Sequence, residues 1–360
     1  MCRSWTDPVN VAPPAPQYIV SNGDPLRDRD TVLSIWWGNL GQTDRIAAKY
    51  DWCYLDSPFP APVIKLLRDV PGNAWVGSCC AGKRRMIRGE QVLTAGVMAD
   101  LAVVPAHRTL GPAMMLQQAI VTEAREQLDL LYGFPNTHAV AVFKRSGYTR
   151  VTDLVRLVHV LRSAHYLRRH LPGWVATPLG AVVDLGLRAQ EALRRLFGQR
   201  VRTSWSTRAD ERMDTLWRDA PRGEVMLTVR NTEYLRWRFD RSPMATTRYL
   251  ALTHPRTQAL HAWFATQIED GTLHVRDYWT DHGVTSMPTA YVDALLRAAR
   301  KAGASAVSVQ ISEREGWLSG WGEREFRERS RRAVYGFKGK DLATEDGMPV
   351  LHLSSADEDE

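Results

Sequence analysis

Val97–Ala113 reads VMADLAVVPAHRTLGPA, and this stretch decides how the rest of the chain is read. An apolar strand run ends at Pro105, a tight loop follows, and a helix is expected to begin near Pro112. A loop that enters a helix N-terminus presents unpaired backbone N–H groups, and the helix dipole adds positive potential there. Gly111 lets the backbone come close to a ligand, Ala113 leaves room above the first turn, and Arg108 can grip an anion with two N–H groups. The pattern is an anion cradle.

Downstream, a helix is expected from about Ala113 to Gln127, with Leu116, Ile120, Ala124 and then Leu128 on one apolar face. Glu123, Arg125 and Glu126 fall on the opposite side. The strand run LDLLYGFPN (128–136) follows, then THAVAVFKRSGYTRV (137–151), a short helix leading into a closing strand. R-x-x-G-x-A behind a strand ending V-x-P, together with these two segments, resembles the acyl-CoA pyrophosphate loop and its surroundings in the Gcn5-related N-acetyltransferase superfamily. Members of that superfamily have a strand ending in Asn, a helix, and then G-[FY] opening a strand. The resemblance covers residues 30–155 well and 225–340 more faintly. The whole chain is similar to bacterial tandem proteins of this type, some associated with polysaccharide or cell-envelope gene sets.

The resemblance implies acetyl-CoA or another acyl-CoA as co-substrate. The backbone of Leu101, Ala102 and Val103 would bond the pantetheine arm, and its amides could polarise the thioester carbonyl. Arg108, Thr109, Leu110, Gly111, Pro112 and Ala113 would hold the pyrophosphate. Asn136 would touch the pantetheine where two strands splay, and Phe143 would line the thiol end. Three departures stand out. Pro112 has no N–H, so the cradle has one donor fewer, although proline suits a first helical turn. Phe143 stands where the family often has a tyrosine acid, and Val97 where many members carry a glutamate base. His138, Tyr148 and Tyr132 are the nearest replacements for the acid, and Asp100 is a candidate base. Asp277 occupies the corresponding place in the second half, a parallel that favours a structural role for Asp100.

That second half is visible when the chain is compared with itself. KYDWCYLDSP (49–58) and YLRWRFDRSP (234–243) align Trp52 with Trp237, Tyr54 with Phe239, Ser57 with Ser242 and Pro58 with Pro243. Each run leads to an apolar strand, a proline-bearing turn (Pro71, Pro255), a second strand, a strand with a central Asp, a long amphipathic helix and another strand. The expected fold is α/β: two tandem domains of the superfamily type, each a mixed and mostly antiparallel sheet flanked by helices, joined by a helical linker. The expected divisions are a flexible tail over 1–25, an acyl-CoA-binding domain over 26–155, a basic helical linker over 156–220, a degenerate domain over 221–342 and an acidic, disordered tail over 343–360.

In the second half the cradle position reads GVTSMPTA (283–290), where Thr285 and Pro288 replace Arg108 and Gly111, so its pyrophosphate site should be lost. This half would form a far wall of the substrate cleft or a dimer contact. Trp237, Tyr249, Trp263, Tyr278 and Trp279 read as core packing before sugar stacking. The repeated W-x-[YF]-x-x-S-P run reads as a structural corner.

LVRLVHVLRSAHYLRRHL (154–171) and PLGAVVDLGLRAQEALRRLF (178–197) are expected to be amphipathic helices with arginine-rich faces, serving as linker or as a peripheral membrane or docking contact. A net charge of +7 and a pI near 9.3 call for an anionic partner: nucleic acid, a membrane surface or a phosphate-bearing cofactor. Composition, 44% hydrophobic and 24% charged, is that of a core-forming chain, and no apolar run approaches a membrane span of roughly 20 residues. The first residues lack an apolar signal core, which points to the cytoplasm. Cys2, Cys53, Cys79 and Cys80 have no metal-ligand spacing, and Cys79 and Cys80 should face opposite sides of a strand as buried thiols.

The leading expectation is an acyl-CoA-dependent N-acyltransferase, acetyl by default, acting on an amine of a small or envelope-related metabolite such as an amino sugar. Two alternatives stay open. One is a peptidoglycan-type aminoacyltransferase fed by aminoacyl-tRNA, against which the intact cradle argues. The other is a non-catalytic scaffold that keeps the fold.

Overall fold

The internal repeat of the sequence becomes a mirrored order of strands in one sheet. The computed structural model describes residues 17–40, 43–162, 200–340, 342, 344 and 346–358. In the first half these form β1 (Tyr18–Gly23), α1 (Arg29–Trp36), α2 (Ile46–Tyr50), β2 (Val63–Asp69), β3 (Ala74–Arg88), β4 (Gln91–Val103), α3 (Leu110–Gln127), β5 (Leu130–Gly133), α4 (Val140–Arg145) and β6 (Thr149–Val160). The second half repeats the series with β7 (Arg202–Ser206), α5 (Arg212–Asp219), β8 (Met226–Thr228), α6 (Thr232–Leu235), β9 (Arg248–Thr253), β10 (Leu260–Glu269), β11 (Thr272–Thr280), α7 (Thr289–Lys301), β12 (Ala306–Ser312), α8 (Glu315–Gly322) and β13 (Arg327–Lys338). Last comes β14 (Leu351–His352). No helix among the described residues is long and apolar enough to cross a membrane.

The sheet runs β1-β2-β3-β4-β5-β13-β6-β12-β11-β10-β9-β7. Its centre is an exchange. β6, from the first half, pairs antiparallel with β12 of the second, and β13, from the second half, pairs antiparallel with β5 of the first. β6 and β13 also pair with each other, so each half completes its sheet with the other's last strand. β6 passes straight through residue 155, where the sequence reading divides the halves. LVRLVHV (154–160), expected to open a helix, is therefore a central strand. Leu154 packs to one side of the sheet, and Val155 and Leu157 contribute to the core of the second half. The remainder of the expected linker helices, 163–199, lies outside the described residues.

Packing follows the apolar spacing. α3 buries Leu116, Ile120, Val121 and Ala124 against β2 and β3, and α7 buries Tyr291, Val292, Leu295 and Ala299. Cys79 and Cys80 enter separate clusters on the two faces of β3. The five second-half aromatics named above are all buried.

The repeated W-x-[YF]-x-x-S-P run builds the same corner twice. Residues Asp51–Leu55 and Arg236–Asp240 are both single turns of π-helix. In each corner the serine hydroxyl accepts a backbone N–H two residues on, Phe59 to Ser57 and Met244 to Ser242. The corners meet: Trp52 Nε1 donates to the carbonyl of Trp237 at 2.7 Å, and Trp237 Nε1 donates to that of Trp52 at 2.8 Å. A local two-fold axis thus passes between the indoles.

Of the stretch expected to be an acidic, disordered tail, residues 351–358 are instead interior, bridged to β12 at Ile311–Ser354. β14 pairs with β8, and Leu351 and Leu353 join the apolar cluster around Tyr132. Acidic composition argued for solvent, but buried arginines supply the missing counter-charge. Asp357 faces Arg230 at 3.2 Å and accepts from Thr228 at 2.5 Å, while Arg230 holds Asp277 with its Nε at 3.0 Å.

Candidate functional site

β4 and β5 are parallel and pair only as far as Val97–Tyr132, so the rest of β4, Met98 to Val103, splays away from its neighbour. A cleft of about 250 Å³ fills the splay. Met98, Ala99, Asp100 and Leu101 form one wall, Phe134, Pro135 and Asn136 the other, and Gln117, Ala139, Phe143 and Leu40 close it. Every lining residue belongs to the first half.

A bulge re-aims β4 at this point. Ser78 pairs with Ala102 and Cys80 with Ala99, so Asp100 and Leu101 oppose a single residue of β3. Asp100 takes a left-handed backbone, φ 53°, a conformation aspartate tolerates better than most side chains. Its carboxylate accepts from Lys49 Nζ at 2.8 Å and from the Tyr54 hydroxyl at 2.6 Å. Burial, and then the adjacent carboxylate, push the Tyr54 hydroxyl well above the ordinary tyrosine range, so it stays a proton donor.

The anion cradle sits at the start of α3. That helix begins at Leu110, two residues earlier than expected, and Pro112 lies in its first turn. The Thr109 side chain caps no N–H, and Thr109, Leu110 and Gly111 are exposed. A Cβ placed on Gly111 would meet nothing within 4 Å, so the fold itself does not require glycine here. The loop is tied at both ends: Arg108 donates through Nε to the Val103 carbonyl at 3.0 Å and through Nη2 to Asn39 Oδ1 at 2.5 Å, and His107 Nδ1 meets the Tyr18 hydroxyl at 2.9 Å.

Of the residues singled out in the sequence, Asp100, Leu101, Asn136 and Phe143 line the cleft, and Arg108 through Ala113 form the adjoining helix start. Ala102 and Val103 continue the splayed strand with their side chains in the core. Asn136 Oδ1 accepts the backbone N–H groups of His138 and Ala139, opening the segment that leads into α4. His138 is exposed and does not line the cleft. Tyr148 is buried beside Phe143, ring centres 4.7 Å apart, with its hydroxyl unpartnered and raised well above its ordinary pKa by burial. Tyr132 faces the opposite side of the sheet, where its hydroxyl donates to the Asp357 carbonyl at 3.2 Å.

Sequence reasoning missed Lys49, Tyr54 and Gln117. Gln117 is 1% exposed, and its Oε1 has no hydrogen-bond partner although the residue lines the cleft. A buried orphan acceptor asks for an N–H donor from whatever enters.

In the second half the corresponding splay is filled by the chain itself. β11 and β12 pair as far as Val275–Val309. Beyond that point residues 351–357 take the gap: the Ser312 N–H donates to the Leu353 carbonyl, and the Ser355 hydroxyl donates to the carbonyl of Arg276, the bulge residue of β11.

No protein-family model matches the sequence, and no curated protein sequence matches it. Similarity appears in three dimensions. A conserved Enterococcus faecalis protein of unknown function, described as a "probable N-acyltransferase", superposes with a TM-score of 0.63 at 9% identity, over 90% of this chain and 72% of that one. A Gcn5-related N-acetyltransferase from Anabaena variabilis gives 0.59 at 11%, over 89% and 72%. Another from Kribbella flavida gives 0.55 at 11%, over 89% and 70%. The chain has the fold of the Gcn5-related N-acetyltransferases.

Proposed function

We propose that this chain is a cytoplasmic acyl-CoA-dependent N-acyltransferase, acetyl by default, that works in the first-half cleft on an amine of a small metabolite such as an amino sugar. The observation that carries the reading is a juxtaposition. The splayed edge of β4 and Gln117, whose Oε1 has no partner, line one cleft, and Gln117 belongs to the helix whose exposed first turn holds Gly111.

Those residues suit an acyl-CoA. N–H groups at the start of α3 and the Arg108 guanidinium would hold the pyrophosphate. Gln117 Oε1 and the free edge of Met98–Val103 would hold the amides of the pantetheine arm. When bound, the co-substrate supplies an acyl thioester that an amine can attack. Backbone N–H groups of the β4 bulge would face the carbonyl oxygen as negative charge develops on it. Asp100 would orient the ammonium group and take its proton as the C–N bond forms, held in place by Lys49 and by the donated hydroxyl of Tyr54. Phe143 has no proton to give, so the leaving thiolate is served by solvent.

Calorimetric titration of acetyl-CoA and longer acyl-CoAs tests the reading, with Gly111→Glu as control. Micromolar binding that is abolished by the substitution, in a protein of unchanged melting temperature, is the expected result. A folded wild-type protein that binds none of them overturns it in favour of a tRNA-dependent or scaffold role. Asp100→Asn should keep the affinity and lower kcat by roughly 10²- to 10⁴-fold. A kcat within twofold of wild type would remove Asp100 from the chemistry.

A further inference from the structure

Among the described residues, Arg84 is a buried cation with no carboxylate partner. It sits on β3, is 5% exposed, and donates from Nη1 to the carbonyl of its neighbour Lys83 at 3.0 Å. Its guanidinium lies over the indole of Trp237 at 4.7 Å and the ring of Phe59 at 5.6 Å. Nε is buried and has no acceptor, and among the described residues no carboxylate pairs with Arg84. The other deeply buried guanidiniums of the interior are satisfied differently: Arg230 by Asp277 and Asp357, Arg238 by the carbonyls of Ala356 and Glu358. Two aromatic faces offset part of the desolvation of a guanidinium, but they cannot accept its in-plane N–H groups.

The position of Arg84 ties it to the cleft chemistry. Cys80, Gly82 and Arg84 alternate onto one face of β3, and Cys80 packs there with Tyr54, the partner of Asp100. Gly82, between them, is buried, yet a Cβ added to it would meet a single atom within 4 Å, Arg84 Nη1 at 3.5 Å. The guanidinium therefore leans back along β3 over Gly82, toward the Cys80–Ala99 pair beside Asp100. Cys53 lies in the field of Asp100, Lys49, Arg238 and Arg84.

We propose that Arg84 binds an anionic oxoacid group, carboxylate or phosphate, carried by the amine acceptor. The acceptor class is then a zwitterion, its ammonium at Asp100 and its acidic group at Arg84, with Trp237 and Phe59 fixing the guanidinium plane. This inference rests on the reading of the first-half cleft given above. It also gives the excess of positive charge a partner smaller than a nucleic acid or a membrane.

Matched pairs of probes test it by calorimetry, with and without saturating CoA: glucosamine 6-phosphate against glucosamine, and amino acids against their amides. At least one acidic member should bind tenfold or more tightly than its neutral partner. Arg84→Met should erase that preference while the affinities for the neutral partner and for acetyl-CoA stay within twofold. Phosphate and carboxylate sources separate by which pair discriminates. Where Arg84→Met does not fold, Arg84→Lys decides, because it keeps the charge and loses the two-pronged grip; the preference must then fall severalfold. No preference in any pair, or a preference that survives the substitution, overturns the inference. Discrimination by a protein that binds no acyl-CoA would keep the anion site and overturn the cleft reading instead.

Discussion

Among its described residues the molecule builds the same gap twice and leaves one open. In the first half the splay between β4 and β5 is a cleft lined by Asp100, Gln117, Asn136 and Phe143, beside a helix start that is bare at Gly111. In the second half the splay between β11 and β12 is occupied by residues 351–357. The matching aspartates show what the difference means. Asp100 is held by Lys49 and Tyr54 at the wall of an open cleft, whereas Asp277 is locked by Arg230 into a pair with Asp357 that no ligand could reach. A splayed strand pair can thus take a ligand only when nothing else satisfies its free edge. The chain fills one of its two gaps with its own residues, in the half that carries Thr285 and Pro288 where the other carries Arg108 and Gly111.

If the plug is structural, breaking its ionic centre should have the largest effect. Asp357→Asn removes one charge from the buried Arg230 cluster and leaves Asp277 to balance the guanidinium alone. Losing the charged acceptor of Thr228 and Arg230 costs about 1.5–3 kcal/mol. Urea denaturation should show that loss with acetyl-CoA affinity unchanged in the protein that remains folded. A loss below about 1 kcal/mol would mean that the segment is a loosely held cover, and the comparison would have to be redrawn as two clefts, one gated.

The same plug makes the protein acid-sensitive. His352 packs edge-on against Trp317, ring centres 4.5 Å apart, and burial, followed by the field of Arg230, lowers its pKa to about 3 from 6.5. The unfolded chain then binds the proton and the folded one does not. Stability is complete above pH 6.5 and is lost as pH falls through the window between 6.5 and 3. From pH 7 to pH 5 the contribution of this residue is about 2 kcal/mol. His352→Phe should flatten that part of the stability profile; an unchanged acid slope would place the sensitivity elsewhere.

How much of this was legible in the sequence follows from distance along the chain. The cradle is local, and Arg108, Gly111 and the apolar spacing of α3 announce it within twenty residues. The repeat is legible because Trp52 and Trp237 sit in runs that match residue for residue. Lys49 and Tyr54 meet Asp100 only through the fold, and nothing near Asp100 in sequence points to them. Tyr54 was in view, but as part of a structural corner. The exchange of β6 and β13 was hidden because LVRLVHV is a short apolar run that fits a strand or a buried helix equally well. The plug was hidden because SSADEDE looks solvated until Arg230, Arg238 and Arg332 come to meet it.

The smallest effect tests the axis on which the comparison depends. Trp52 and Trp237 donate to each other's carbonyls at 2.7 and 2.8 Å, both are buried, and neither lines the cleft between β4 and β5. Replacing either with Phe removes one donor and leaves the opposite carbonyl unpaired, a loss of about 1–2 kcal/mol for a neutral bond. If the two halves are related by a working two-fold axis, Trp52→Phe and Trp237→Phe should cost the same to within a few tenths of a kcal/mol. The double substitution should cost less than their sum, because the two bonds close a single ring and share its geometry. Unequal single effects would show that one half leads and the other leans on it. Arg84 gives that alternative a direction: it stacks on Trp237 and Arg238 stacks on Trp52, so a larger loss at Trp237 would trace to the face beneath Arg84.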